Sequence, residues 1–273
     1  MVYANKLTLN VKKKYILFRT KSMLVDFSMP DYTLKLDGKK IDRIGANCVE
    51  TSFKFVGHYL DEFLTWDSHI KRVIGKLGSA NYAIARSKNF LPLKIRTTLY
   101  NSMFKSHLEF GILAYGCAKQ TLLKKITTLQ KKCIRNVNNS EIRAHSDPLF
   151  NKLKILKFDD LFKYNVCYFI HQYANNKLPP SFDNMFPLMR ESDARGSRDD
   201  FYNYEIIPPK SRSLNSFPRV VFLPLWNSLS SVHQSTGSHK QFKSDLKTTL
   251  LTNCGNFVAC DNLMCDECRN AIL

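Results

Sequence analysis

Four cysteines near the C-terminus have the residue type and spacing closest to a metal site. They form the pattern Cys254-x5-Cys260-x4-Cys265-x2-Cys268, which places four of the chain's eight cysteines within 15 residues. Two cysteines separated by two residues can bind one zinc ion from a tight turn, with two further ligands from elsewhere. Because the spacing departs from a standard zinc knuckle, the pattern predicts either a zinc site or a tail of unligated thiols.

Paired carboxylates are the other residues that could hold metal ions. Two-metal phosphoryl chemistry needs carboxylates that converge on one point, because divalent cations with oxygen ligands must bridge both reacting oxygens. Asp159 and Asp160 precede a predicted helical segment, where they suit the first turn of a helix, and Asp199 and Asp200 lie in a polar segment. These positions suit a helix cap and a polar loop, so we predict that neither pair forms a catalytic carboxylate site.

Positive charge is concentrated in the first 157 residues. The chain carries 41 Lys and Arg against 23 Asp and Glu, a net charge of +18. Residues 1–157 hold 29 basic and 11 acidic residues, whereas residues 158–273 hold 12 of each. Because a basic surface attracts phosphates irrespective of base sequence, nucleic acid is the predicted partner. The alternative is a solvated surface that is merely basic.

A predicted helix at about residues 119–137 has one apolar face and one basic face. The apolar residues are Leu122, Leu123, Ile126, Leu129, Cys133, Ile134 and Val137. Phosphate contacts fix the position of a nucleic acid without selecting its sequence, which suits a basic helix face. The candidate nucleic-acid-binding residues are Lys71, Arg72, Lys76, Lys124, Lys125, Lys131, Lys132 and Arg135. A helix face that is only solvated is the alternative.

The remaining periodicity predicts a β-rich start followed by helices. Residues 15–18 form a short apolar strand, and Asp37-Gly38 suits the tight turn of a hairpin. Helices are predicted at about residues 67–89, 92–108, 158–175 and 239–252, and residues 179–220 are predicted to be mostly loop.

Residues 53–70 combine a strand, a glycine and a helix start in an unusual way. Phe53, Phe55 and Tyr59 favour a strand. Gly57 interrupts it, which indicates a bulge or a close approach of another backbone. A helix then follows, with Thr65 or Asp67 as its cap.

This segment resembles the region just after the catalytic palm of reverse transcriptases from non-LTR (LINE-type, jockey-like) retrotransposons. Residues 5–18 are similar to the last palm motif before it. Pieces similar to the family's thumb and tail follow in the same order at residues 89–92, 99–102, 108–111, 129–135, 144–150, 178–182 and 225–229.

The resemblance implies two roles for residues of the β region. The glycine-broken strand pair would seat the end of the primer, and the candidate residues are Phe55, Val56, Gly57 and Tyr59. Lys13 would lie near the incoming nucleotide, where a cation stabilises developing charge. The family usually has a threonine between the lysines at this place, whereas residues 12–14 here are all lysine. The alternative is that Lys13 is a basic residue before a strand and binds no ligand.

The resemblance also implies what the chain lacks. The parent enzymes are RNA-directed DNA polymerases that hold Mg²⁺ on a Tyr-x-Asp-Asp pair and an earlier aspartate, and no Tyr-x-Asp-Asp occurs here. We therefore expect a C-terminal fragment that begins downstream of the catalytic centre and binds RNA–DNA template–primer duplex. It would not polymerise without the N-terminal polymerase region, so its own enzymatic status is open. The alternative is a host-retained or decayed nucleic-acid-binding relic without an enzymatic role.

Together these features predict an α+β fold in four parts. Residues 1–62 form a small antiparallel palm-edge and primer-seating β region, and residues 63–157 form a helical thumb. Residues 158–253 form a helical and loop-rich region, and residues 254–273 form a Cys-rich tail.

The sequence predicts an intracellular protein, in the nucleus or the cytoplasm, with no membrane partner. No window of 18 consecutive apolar residues occurs, and the N-terminus lacks the apolar stretch of a signal peptide. In such a reducing compartment the cysteines are predicted to be thiols or metal ligands.

Overall fold

The computed structural model describes residues 13–21, 23, 34–36, 38–45, 48–183, 185–186, 203–206 and 217–253. The chain divides into two compact units, Met1–Lys71 and Arg72–Leu273. In the described residues all six strands lie in the first unit, and helices dominate the second. The predicted α+β class is confirmed. The finer division into four parts stays a prediction.

The strands of the first unit are short and pair in twos. They are β1 (Lys14–Ile16), β2 (Lys35–Leu36), β3 (Lys39–Lys40), β4 (Asp42–Ile44), β5 (Ser52–Phe55) and β6 (His58–Asp61). Strands β2 and β3 pair antiparallel, as do β5 and β6. Strand β1 pairs with β4 in parallel, with Tyr15 opposite Arg43, which differs from the antiparallel expectation. The long connection between these two strands permits the crossover that a parallel pair requires.

The β2–β3 hairpin forms where the sequence predicts it. Leu36 lies opposite Lys39, so the loop contains two residues. Gly38 has a φ of 72°, the left-handed conformation that such a turn needs. Asp37 lies outside the described residues.

The helical elements follow the predicted order. They are α1 (Asp67–Ser87), α2 (Leu93–Leu99), a π-helix (Tyr100–Lys105), α3 (Ser106–Glu109), α4 (Ile112–Tyr115), α5 (Gln120–Asn138), α6 (Asp147–Leu153), α7 (Phe158–Ala174), a 3₁₀ turn (Pro180–Phe182), α8 (Pro218–Asn227), α9 (Ser231–Gln234) and α10 (His239–Asn253). Helices α6 and α8 were not predicted. Each has a proline in its first turn, a position where the missing N–H costs nothing.

The core of the second unit is built around α7. This helix packs against α4, α5, α8 and α10. Aromatic side chains fill the contacts, since Tyr115 stacks on Phe158 at 6.3 Å between ring centroids and Phe169 meets Phe222 at 6.2 Å. Trp226 of α8 is 1% exposed. The tail helices therefore share one aromatic core with the middle of the unit.

A buried glutamine joins α5 to this core. Gln130 is fully buried, and its Nε2 donates to the Tyr100 hydroxyl and to the Leu156 carbonyl, both at 3.0 Å. Its Oε1 accepts from the backbone N–H of Phe158 at 2.8 Å. The side chain thus satisfies three polar groups that burial would otherwise leave without partners. These bonds fix the orientation of α5, and with it the direction of the opposite, basic face.

No helix in the described part of the chain is long and apolar enough to cross a membrane. Cys48, Cys117, Cys133 and Cys167 are free thiols. The predicted zinc ligands Cys254, Cys260, Cys265 and Cys268 lie outside the described residues.

Candidate nucleic-acid interface

The predicted primer-seating segment forms a tight hairpin with an apolar tip. Phe55 of β5 lies opposite His58 of β6, so Val56 and Gly57 alone form the turn. Their φ values are 45° and 84°, as in a type I′ turn. Phe55 is 58% exposed and Val56 is 75% exposed. The sequence indicated a bulge or a close backbone approach at Gly57, whereas Gly57 instead occupies the positive-φ position of a hairpin turn whose tip presents two apolar side chains to solvent.

Val56 occupies this turn at an energetic cost. A β-branched residue with positive φ is rare, because its Cβ lies too close to the backbone, and the strain is about 1–2 kcal/mol. Asn-Gly or Asp-Gly would fit the turn better. Strain of this kind is retained mostly at functional sites, so Val56 is a candidate contact residue. Tyr59 is half-buried in β6, and its backbone N–H points to Nδ1 of His69 at 3.4 Å.

A carboxylate stabilises the loop between the hairpin and α1. The Asp61 side chain accepts from the N–H groups of Phe63 and Thr65 at 3.0 and 3.1 Å, and from the Thr65 hydroxyl at 2.9 Å. This supports left-handed backbone at Leu64 and Trp66, whose φ values are 50° and 65°. The predicted cap residues Thr65 and Asp67 lie at the start of α1 as expected, although the bond from the Asp67 N–H to the Thr65 hydroxyl is long, at 3.5 Å.

A buried ion cluster anchors the base of the same hairpin. Glu62 is 1% exposed and pairs with Arg19 and with Arg43, each at 2.9 Å. A Cβ on residue 45 would lie 2.2 Å from the Glu62 carboxylate, so any larger residue at Gly45 would displace the ion-paired Glu62 side chain. The two guanidinium groups offset the cost of burying the carboxylate. The end of β6 is therefore fixed to the segments that contain β1 and β4.

Lys13 lies immediately before β1 and is exposed. The next lysine, Lys14, pairs with Glu50. The proximity of Lys13 to an incoming nucleotide stays a prediction.

The basic face of α5 is present and accessible. Lys124, Lys125 and Lys132 are exposed, whereas Lys131 and Arg135 are half-buried. Arg135 has a structural contact, since its Nε donates to the Ala144 carbonyl at 2.6 Å. The three exposed lysines are thus the strongest candidates of the predicted set. On α1, Lys71, Arg72 and Lys76 are also exposed.

Acidic residues are nearly missing from this part of the sequence. Residues 68–140 contain 14 Lys and Arg and one acidic residue, Glu109, which pairs with Lys105 at 3.3 Å. Helix α5 itself contains no Asp or Glu. An ordinary solvated helix face mixes both signs, which provides i,i+4 ion pairs. A face with cations alone instead favours an anionic partner.

The cationic helix is held in a fixed position within the second unit. Asn136 of α5 donates to Asn81 of α1 at 2.8 Å, and Gln130 joins α5 to α7. Ile126, Cys133 and Ile134 are fully buried on its inner face. The lysines therefore project from a rigid element.

Metal chemistry has no site in the part of the chain that the structure describes. No group of three His, Cys, Asp or Glu side chains there could hold a metal ion. Asp159 and Asp160 lie in the first turn of α7, as the sequence indicates.

The sequence is similar to those of mobile-element polymerases. It is 28% identical over 113 residues to the RNA-directed DNA polymerase from the mobile element jockey of Drosophila melanogaster, which is 40% of this chain and 12% of that protein. It is 25% identical over 119 residues to the probable RNA-directed DNA polymerase from transposon X-element of the same species, 42% of this chain and 13% of that protein. The jockey polymerase of Drosophila funebris is 28% identical over 112 residues.

The chain thus matches about an eighth of the length of these curated relatives. No protein-family model matches it, and no solved structure matches it significantly. These sequence similarities show that the chain resembles a fragment of the RNA-directed DNA polymerases of jockey-like retrotransposons.

Proposed function

We propose that this chain is the thumb-containing, nucleic-acid-binding part of an RNA-directed DNA polymerase of a non-LTR retrotransposon. Its α5 lysines bind the phosphates of the RNA–DNA template–primer duplex, and the β5–β6 hairpin seats the primer end. The observation that carries the proposal is the exposed, acid-free cationic face of α5. Because the similar jockey and X-element proteins are RNA-directed DNA polymerases, we propose RNA and DNA as the anionic ligands of this face.

The salt dependence of duplex binding tests whether the α5 lysines contact phosphates. We expect Lys124→Ala, Lys125→Ala and Lys132→Ala together to weaken binding of an RNA–DNA duplex. Each lost phosphate contact flattens the slope of log K against log salt by about 0.9, so three contacts flatten it by roughly 2 to 3. Lys131 is left unchanged in this set because it is half-buried. Adding Lys131→Ala shows whether this half-buried lysine also contributes.

A charge-matched control separates α5 from the general charge of the protein. Lys152, Lys177 and Lys240 are also exposed, and their triple alanine variant has the same net charge as the α5 triple variant. We expect this control to change the slope by less than one phosphate contact. Equal slopes for the two triple variants would show that α5 is not the specific phosphate-binding surface.

The hairpin tip is tested by a substitution that favours its backbone. Val56→Asn suits the first position of a type I′ turn, so it should raise the thermal stability of the first unit. If Val56 contacts the primer, the same variant binds a recessed primer end less tightly, whereas its affinity for a blunt duplex is unchanged. A variant that is more stable and binds both substrates normally would contradict the primer-seating role.

The proposal assigns catalysis to a region outside this sequence. The 273 residues contain no Tyr-x-Asp-Asp, so we expect no primer extension by this chain alone, with or without Mg²⁺. The nuclear location of the parent activity belongs to the same proposal. A host-retained or decayed relic would share the duplex binding. The upstream transcript distinguishes these cases, since an open frame that encodes Tyr-x-Asp-Asp supports the polymerase and stop codons support the relic.

A further inference from the structure

The second unit contains a cavity that the duplex-binding proposal does not use. It has a volume of about 380 Å³ and lies between the π-helix, the loop from α6 to α7, α7 and α10. Small-molecule sites in proteins typically occupy roughly 300–1,000 Å³, so a ligand of moderate size fits. None of its lining residues belongs to α5. The cavity is thus a separate candidate site.

The lining of the cavity has two chemical parts. Leu153, Ile155, Leu156 and Leu161 supply an aliphatic part. The polar part contains three lysines against a single carboxylate, and its charged residues are Lys105, Lys154, Lys247 and Glu109. One apolar group and one anionic group would together match this lining.

Two lining residues add hydrogen-bonding capacity. Asn101 is an exposed residue of the π-helix, and Tyr164 is half-buried in α7. Burial, with a smaller contribution from Glu109, raises the pKa of Tyr164. Its hydroxyl therefore remains a neutral donor at physiological pH, and it can donate to a phosphate or sugar oxygen.

The backbone around the cavity is irregular at two places. The wall formed by Tyr100–Lys105 is a π-helix, a conformation that is rare and occurs frequently at functional sites. Lys154 ends α6 in the left-handed conformation, with a φ of 53°, where glycine is the usual residue. Lysine is less favourable than glycine in this backbone conformation, so it lowers the stability of the fold, but it places a cation at the cavity.

We propose that this cavity binds a single nucleotide unit, with the base against the aliphatic part and the phosphate on Lys154 and Lys247, because Lys105 is already paired with Glu109. A nucleotide combines a flat, largely apolar ring with an anion, which the two parts of the lining complement. The unit is either a free nucleotide or the 5′-phosphorylated end of a strand, because the two present the same chemistry.

Isothermal titration of the full chain with adenosine 5′-monophosphate tests the proposal, with adenosine and inorganic phosphate as partial ligands. We expect the monophosphate to bind more tightly than either part. If a 5′-phosphorylated oligonucleotide binds more tightly than its unphosphorylated form, the strand end is the ligand. If the free monophosphate binds, the mononucleotide is the ligand. Binding of neither would overturn the site.

Two variants locate the ligand in the cavity. Lys154→Gln with Lys247→Gln should weaken binding about tenfold or more, since a charge-assisted hydrogen bond contributes that much. Lys152→Gln with Lys240→Gln removes the same charge outside the cavity and should leave the affinity unchanged. Equal losses in both double variants would show only general attraction to a basic protein, and the proposal would fail.

Blocking and backbone variants separate the site from stability and from duplex binding. Asn101→Trp fills the cavity from an exposed position, so it should abolish monophosphate binding and leave the salt slope of duplex binding intact. Lys154→Gly relieves the left-handed strain, so it should raise the unfolding temperature and still lower monophosphate affinity. A Lys154→Gly variant that is stabilised and binds normally would remove Lys154 from the site and contradict the proposed contact.

Discussion

Helices α5 and α7 have similar lengths and use their surfaces in opposite ways. Helix α5 has 19 residues with cations on its outer face, and α7 has 17 residues and packs against four other helices. Aromatic rings cover much of α7, whereas nothing in the described part of the chain neutralises the exposed lysines of α5. The comparison shows that one helix organises the core and the other is left available to a partner.

The inner faces of the two helices are alike. Cys133 of α5 and Cys167 of α7 are both fully buried. Burial raises the pKa of each thiol to about 12. Both cysteines are therefore protonated, unreactive packing residues, as the apolar neighbours of Cys133 predict. The two helices agree in these buried thiols and differ in what their outer surfaces meet.

The largest expected effect comes from the packing around α7. Phe242 of α10 is fully buried, stacks on His171 of α7 at 4.1 Å and lies 6.1 Å from Trp226. Phe242→Ala should reduce the free energy of unfolding by about 3–5 kcal/mol, because a large buried ring leaves a cavity. Denaturant titration measures this loss. A loss below about 1 kcal/mol would mean that α10 adds little to the core.

A second effect tests the connection between the two helices. Gln130→Leu keeps a similar volume and removes three hydrogen bonds, to the Tyr100 hydroxyl, the Leu156 carbonyl and the Phe158 N–H. We expect a loss of about 3 kcal/mol, since buried groups without partners cost about 1–3 kcal/mol each. Gln130→Leu at wild-type stability would show that these groups find other partners. The measurement is again denaturant titration.

A smaller effect should appear as a pH dependence of α7. Burial lowers the pKa of His171, opposed by its bond to the Thr236 carbonyl and aided by nearby His239. Nε2 of His171 donates to the Thr236 carbonyl, and Nδ1 lies 2.9 Å from Nδ1 of His239, from which it can accept a hydrogen bond when the His171 ring is neutral. The unfolded chain therefore binds a proton more readily, so stability is full above the unfolded pKa and falls as the solution becomes more acidic.

This prediction is checked by the free energy of unfolding at about pH 7.5 and about pH 5.5. His171→Gln removes the titrating ring, so its stability should fall less over this interval than that of the wild-type protein. Burial also lowers the pKa of His58, which contributes in the same direction in both proteins. Identical pH dependence with and without His171 would contradict the assignment.

The smallest stability effect is expected on the outer face of α5. The triple variant Lys124→Ala, Lys125→Ala, Lys132→Ala should change the free energy of unfolding by less than about 0.5 kcal/mol per site, as exposed substitutions generally do. Thermal unfolding measures this. A small change in the free energy of unfolding, together with a flattened salt slope, would show that these lysines contribute to binding and not to folding. A large destabilisation would make the lysines structural and weaken the contrast with α7.

The fold was predictable where periodicity and turn chemistry act locally. The apolar period located α5, α7 and α10 to within a few residues, and the hairpin turn at Gly38 followed from Asp-Gly. The parallel β1–β4 pair was not predictable, because it depends on contacts between distant segments. Only the first three residues of α8 belong to the loop predicted at residues 179–220, and no helix was predicted over the rest of it, which contains Pro224.

The candidate sites divide in the same way. The cationic face of α5 follows from residue spacing within one helix, whereas the hairpin turn at Val56 and Gly57 was not predicted, since a bulge or a close backbone approach was expected at Gly57. Gln130 was not expected inside, since a polar residue normally faces water unless several buried groups need it. The cavity lysines Lys105, Lys154 and Lys247 are far apart in sequence, and no local signal joins them. Sequence patterns therefore identify surfaces on single elements better than cavities formed by several.

The π-helix at Tyr100–Lys105 has a consequence for comparing this chain with its relatives. Its turns close with i→i+5 bonds, so it accommodates one residue more than an α-helix of the same extent. A related chain with an uninterrupted α-helix here should be one residue shorter, and a single-residue gap belongs between positions 100 and 105. Without this gap, every later residue of the helix would be aligned with a position about 100° away around the helix axis, so buried residues would be matched with exposed ones.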